Sequence, residues 1–374
     1  MSITPADKAT AVFRRVWPIV KWLLFGLVLL FIGDRARRLW QQGEFTSIEV
    51  NWLWLLASCG LYIVSWCPSV LFWQRLIHGF GGSCRTADVA QAYFAGHLGK
   101  YIPGKASVLI IRAGILQDRG CQAGLAALTS TCETLICMGV GAAVSLTLAP
   151  LAWPSRLVER LPMPIRVGME RPLLFGAAVV VASVVLVPLI ARLLTLVACK
   201  LAPSTEPSEL SDSTPVRANR LLPWHVLLAW CFAFVTTWLL QGLSLGCALR
   251  AVGVGAAWSD WLTWTGEISS ASFLGFVAVF APGGLGVREG ILSELLADQS
   301  GISAAQGLMA AVLLRGTWLL GEIIATLGSG LSAVRGRRRT AGVVEQQASS
   351  NSGHRRTAGV GFDDGSASHI PSPH

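Results

Sequence analysis

Six stretches of this chain are long, apolar and nearly free of charge: Trp17–Gly33, Val50–Trp73, Cys121–Ala149, Leu173–Val197, Trp224–Leu249 and Ala304–Leu331. About 20 such residues in a helix cross a hydrocarbon core of about 30 Å. Inside that core each backbone group must find its partner within the protein, so apolar runs of this kind become helices. The expectation is an all-α polytopic membrane bundle with about six full spans. Trp17, Trp52, Trp54, Trp73, Trp224, Trp258 and Trp261 cluster toward the ends of apolar runs, as residues anchored at the two interfaces do. Only 14% of the chain is charged, whereas soluble domains carry about a quarter.

Two further apolar regions are interrupted. Residues 87–116 are broken at Pro103-Gly104, and residues 258–296 at Pro282-Gly283-Gly284. The first contains YIPGKASVLIIRAGIL (Tyr101–Leu116) and the second FAPGGLGVREGIL (Phe280–Leu292). Each has an aromatic, an apolar residue, Pro-Gly, a short stretch and then Arg-x-Gly-Ile-Leu. Arg112 matches Arg288 if the second copy is three residues shorter. This is an internal repeat. Three full spans separate the copies, and an odd number inverts the second relative to the first. Two re-entrant hairpins arranged as an inverted repeat are therefore expected, an arrangement typical of secondary transporters.

The break has a specific chemistry. Pro removes an N–H and clashes with the preceding turn, and Gly permits backbone that other residues avoid. The helix that restarts has unpaired N–H groups and a positive dipole end. An anionic headgroup, phosphate above all, suits such an end. Lys100, Lys105 and Arg112 in one copy, Arg288 in the other and Arg315 in the last span are the candidate headgroup ligands. Arg112 and Arg288 are expected to face one central cavity. A charge at such depth costs several kcal/mol unless it is paired inside the bundle, so Glu133 and Glu289 are the candidate partners of Arg112, Arg288 or Arg315. Glu267 and Glu322 lie in apolar surroundings too. Gln91, His97, Gln241, Ser269, Ser270 and Ser272 could line the same cavity, although for each alone packing is the better account.

The ends read differently. Residues 1–16 form a short basic N-terminal segment, and the first apolar run lacks a small-residue cleavage site, so it is read as a retained helix. Residues 335–374 are rich in Ser, Gly and Arg with few large apolar groups and are expected to be a disordered basic tail. With both ends in the cytoplasm, inside segments carry about twice as many Lys and Arg as outside segments, much of the excess lying in the tail. That orientation fits a cell inner-membrane protein whose first hairpin enters from the cytoplasm and whose second enters from outside.

Several classes are disfavoured. No phosphate-binding loop, dinucleotide fingerprint, zinc-protease motif or nucleophile elbow is present. The nine cysteines show neither CxxC nor metal spacing. Neither enzymatic activity, a cofactor, a metal nor a nucleic-acid partner is expected; the net charge of +9 reflects topology.

The motifs GHLGKYIPGKASVLIIRAGIL (Gly96–Leu116) and APGGLGVREGIL (Ala281–Leu292), with Glu133 and Arg315, resemble the lysylphosphatidylglycerol synthase transmembrane-region family over roughly residues 15 to 334. The resemblance implies a flippase-like membrane domain that handles lipids. Its best-understood members move an aminoacylated phospholipid to the outer leaflet and also carry a C-terminal cytosolic aminoacyl-transferase domain. The short tail here implies a member without that domain. Two functions follow. One is a translocase for a polar, anionic or aminoacylated phospholipid or glycolipid. The alternative is a non-catalytic subunit that binds lipid and scaffolds a lipid-modifying or glycosyl transferase. The sequence leaves the oligomeric state open.

Overall fold

A computed structural model describes residues 33–44, 48–102, 106–201, 223–278, 281–299 and 301–358, with a few positions between 23 and 31. The helices are α1 (33–41), α2 (Trp52–Ser65), α3 (Cys67–Gly79), α4 (Thr86–Gly99), α5 (Ala106–Gln117), α6 (Ala123–Ala152), α7 (Ser155–Val158), α8 (Met163–Met169), α9 (Pro172–Leu201), α10 (Trp224–Ala251), α11 (Trp261–Val277), α12 (Val287–Leu296) and α13 (Ala304–Ala358). No strand occurs among the described residues.

Among the described residues, five spans are long and apolar enough to cross a membrane: Trp52–Gly79, Ala123–Ala152, Pro172–Leu196, Trp224–Ala251 and Ala304–Val334. The chain is a multi-pass helical membrane protein. The expected first span, Trp17–Gly33, lies mostly outside the described residues, as does the N-terminal segment 1–16. The span expected over Val50–Trp73 is two helices with a joint at Trp66. Asn51 caps α2 by accepting the Leu53 N–H at 3.1 Å. Pro68 then sits in the first turn of α3, where its missing N–H costs no helical bond.

The last helix departs from the sequence reading. α13 continues to Ala358, through the first part of the segment expected to be disordered. Extending a helix already nucleated requires no new nucleus, and Ala, Arg and Gln favour helix. Residues 359–374 lie outside the described residues.

Each interrupted region holds two short helices. In the first, α4 ends at Gly99 and α5 begins at Ala106; Pro103, Gly104 and Lys105 lie outside the described residues. In the second, α11 ends at Val277 and α12 begins at Val287, with a turn of 3-10 helix at Pro282–Gly284 between them. Gly283 and Gly284 there have φ of +58° and +69°, which side-chain-bearing residues rarely adopt.

The two pairs of short helices pack among the same long helices in a reciprocal way. α5 lies on α6 and α12 on α13; α4 lies on α13 and α11 on α6; α2 meets α13 and α10 meets α6. α9 is mostly exposed, a face suited to lipid.

Candidate functional site

The Pro-Gly breaks set the geometry. A Cβ on Gly283 would stand 3.0 Å from the backbone oxygen of Lys100 and 3.2 Å from Arg315 Nη2. The break of the second region thus touches the end of α4. Arg315, from α13, joins them: its Nη2 donates to the Gly283 carbonyl at 3.0 Å. Its guanidinium also lies 4.9 Å from the Tyr101 ring centre.

Around this junction are three cations and two carboxylates. Lys100 Nζ bonds Glu322 Oε1. Glu322 also accepts from the Tyr62 hydroxyl at 2.5 Å and lies 3.7 Å from His97 Nδ1. Arg315 Nε stands 3.5 Å from Glu289 Oε1. The other oxygen of Glu289, Oε2, accepts the Gly286 N–H at 2.7 Å. The first N–H exposed at the restart of α12, where the sequence suggests a phosphate, is thereby taken by a protein carboxylate.

Arg288 is different. It is partly buried, and its guanidinium lies 5.1 Å from the centre of the Trp318 ring. Trp318 in turn stacks on Tyr62, with ring centres 4.7 Å apart. Among the described residues no carboxylate forms an ion pair with Arg288, and its buried Nε has no hydrogen-bond partner. The aromatic face gives part of the compensation a carboxylate would give.

Arg112 is closed off. It is 1% exposed and donates from Nη1 to Glu133 at 3.2 Å and to Ser130 at 2.8 Å. Tyr93 and Trp73 cover its guanidinium, with ring centres 4.0 and 5.1 Å away, and the Tyr93 hydroxyl donates to Glu133. Arg112 thus sits in an ion-pair and aromatic shell that engages its Nη1 and leaves its buried Nε without a hydrogen-bond partner, in place of the central cavity that the sequence reading has it share with Arg288. The physical reason is packing: a Cβ on Gly96 would stand 2.5 Å from Arg112 Cγ, so α4 presses on the arginine stem and leaves no room beside it. An analogous contact occurs in the second region, where a Cβ on Gly275 would stand 3.3 Å from Arg288 Cβ.

A cavity of about 940 Å³ opens elsewhere, beside α12. Leu27, Phe31, Leu157, Leu274, Ile291 and Leu295 are among its lining residues, and neither Arg112 nor Arg288 is.

The other candidates scatter. Gln91 accepts from Arg119, Ser270 bonds Ser145 and Trp153, and Gln241, Ser269 and Ser272 are buried in packing between helices. Two residues at the junction, Tyr62 and Trp318, escape a reading of the sequence, and Tyr101 is marked there only as the aromatic that opens the first motif. Glu322 stands out there only for its depth. The available signal is spacing, since Glu322 follows Arg315 by seven residues, two helical turns on one face. No cluster of His, Cys, Asp and Glu suited to a metal occurs among the described residues.

These features define a helical membrane protein whose interrupted helices meet around buried charge. The family model described as lysylphosphatidylglycerol synthase TM region matches residues 11–325. The chain belongs to that family. No curated protein matches the chain.

Proposed function

We propose that this protein moves an anionic lipid between leaflets, holding the phosphate-bearing headgroup where its two interrupted helices meet. The observation that supports this reading best is Arg288, a guanidinium inside the helical bundle with a buried, unpartnered Nε and no carboxylate partner among the described residues. Lys100 and Arg315 stand in the same cluster, so three cations face two carboxylates, Glu289 and Glu322. A charge at the bilayer centre costs about 2.5–3.5 kcal/mol on insertion scales. A phosphate at Arg288 would offset that cost with charge-assisted bonds.

We also infer that the two interrupted regions are inverted copies forming re-entrant hairpins. Exchanging α4–α5–α6 with α11–α12–α13, and α2 with α10, turns each reciprocal packing pair into its counterpart. In each unit an ion pair links the second short helix to the following long one: Arg112 with Glu133, Glu289 with Arg315. Gly96 and Arg112 are sixteen residues apart, and Gly275 and Arg288 thirteen, the same three-residue difference as in the sequence repeat. Alternating exposure of a site between such copies is a recognised route across a membrane.

On this reading the protein acts without covalent chemistry, in the cell inner membrane, with both termini in the cytoplasm. The test is leaflet exchange of labelled phosphatidylglycerol, cardiolipin, lysyl-phosphatidylglycerol and zwitterionic lipids in liposomes containing the purified chain. Faster exchange of the net-anionic phosphatidylglycerol and cardiolipin than of the zwitterionic lipids supports the proposal. No acceleration over empty liposomes for any of them sinks it. Copurification of a lipid-modifying transferase in that case would favour the scaffold.

A further inference from the structure

Among the described residues, four glutamates are buried in the apolar part of the bundle: Glu133, Glu267, Glu289 and Glu322. Three have a cation within ion-pair distance, namely Arg112, Arg315 and Lys100. Glu267 has none among the described residues. It is 0% exposed, its Oε1 accepts from the neutral Gln299 amide, and its Oε2 has no hydrogen-bond partner. An ionised carboxylate in that state is strongly disfavoured; it takes up a proton or a cation.

The charged groups on the packed elements are otherwise engaged. On α6, Glu133 is held by Arg112. On α10, Arg250 donates to the Ala256 carbonyl and lies over Trp258, while His225 stands at the far end of the helix. On α12 and the turn after it, Glu289 meets Arg315, Arg288 lies over Trp318, and Glu294 and Asp298 meet Arg156. Asp260 belongs to the turn before α11 and accepts from Ser259.

A metal cation fits poorly, because hard cations take six or more oxygen ligands. Among the described residues no group of His, Cys, Asp and Glu suited to a metal stands there to supply them. A single proton on Oε2 satisfies the site.

We propose that Glu267 is a reversible proton-binding site that couples the second hairpin to a transmembrane proton gradient. Its position gives the proton mechanical leverage. Glu267 lies on α11, and Gln299 lies in the turn that follows α12. Their bond clasps the two arms of the hairpin at the end opposite the Gly283-Gly284 break. Proton uptake neutralises the carboxylate and strengthens burial of the clasp; release leaves an unpaired charge that draws the arm toward water. The bond formed is O–H on Oε2, and the proton comes from and returns to bulk water. The coupling rests on the lipid-moving reading above; the proton site does not.

Infrared difference spectroscopy across a pH titration tests the site on the purified full chain, without any transport. A protonated-carboxyl band that titrates in the wild type and is lost in Glu267→Gln supports it. Absence of that difference overturns it. Glu267→Asp, which keeps the acid, must retain a titrating band, and thermal unfolding confirms that both variants fold. Phosphatidylglycerol exchange in liposomes under an imposed pH gradient then tests coupling. Stimulation by the gradient in the wild type and its loss in Glu267→Gln supports coupling, and equal stimulation in both overturns it. A wild type that shows the band but moves no lipid would reject the transport reading while still supporting the proton site.

Discussion

Gly283 leaves no space for a side chain against Lys100: a Cβ there would stand 3.0 Å from the Lys100 carbonyl oxygen. The residues belong to different interrupted regions, 183 positions apart in the chain. Their contact sets the end of α4 against the second break, and Arg315 holds it through the Gly283 carbonyl. Two properties of Gly283 are thus required at once, a φ of +58° and the absence of a Cβ.

Gly283→Ala should therefore cost more than the roughly 1 kcal/mol of a left-handed alanine. The Lys100 backbone must also give way. The expected result is a lower unfolding temperature in detergent and loss of lipid exchange. Gly255→Ala is the control, since nothing lies within 4 Å of its Cβ position and its φ falls outside the left-handed range; it should leave both unchanged.

Arg288→Ala should abolish exchange of anionic lipid with little loss of folded protein, because no protein carboxylate is orphaned by the change. Arg288→Lys keeps the charge but not the planar, bidentate fork, so intermediate activity is expected. Measured exchange rates at equal reconstitution levels decide this. An alanine variant with wild-type exchange would remove Arg288 from the site.

Cys84 offers a check outside the spans. Burial, with the neighbouring Cys121, pushes its thiol up to about 12. Thiolate is the reactive form, so Cys84 should resist maleimide at pH 7 in the folded protein and gain reactivity only as pH rises toward that value. Mass-spectrometric mapping of labelled cysteines, with denatured protein as reference, reads this directly. Rapid labelling of Cys84 at pH 7 would contradict the packing between α3 and α4.

Much of this architecture is legible in the sequence because a bilayer leaves few choices. An apolar run such as Trp224–Leu249 becomes a helix with little help from its context, and the structure ends it at Ala251. The interruption at Pro282-Gly283-Gly284 is equally readable, since Pro and Gly act locally. Opposite charges inside such runs need partners, so Glu133 and Glu289 can be named as acceptors. Which arginine each meets depends on helix rotation and on small residues such as Gly96, and that is why Arg112 proves enclosed. The tie between Lys100 and Glu322 spans 222 positions. It requires α4 to lie on α13, which no local pattern announces. The aromatic support of Arg288 is hidden for the same reason: Trp318 reads as one more apolar residue in a span.

The Arg112–Glu133 pair separates structural from functional charge. Glu133→Leu leaves a guanidinium that is 1% exposed without its carboxylate. Breaking a buried pair in this way costs about 3–5 kcal/mol, and the expected outcome is poor yield of folded protein. Replacing both partners, Arg112→Met with Glu133→Leu, removes the orphan and should recover much of that loss, because well-packed apolar residues often match a buried ion pair. If the pair is structural, the double variant should also recover lipid exchange. On the proposed reading Arg288→Met admits no such rescue, because the missing partner would be the ligand. A double variant that folds but moves no lipid would instead return Arg112 to the headgroup site. Thermal unfolding and exchange assays on the two single variants and the double variant together make that distinction.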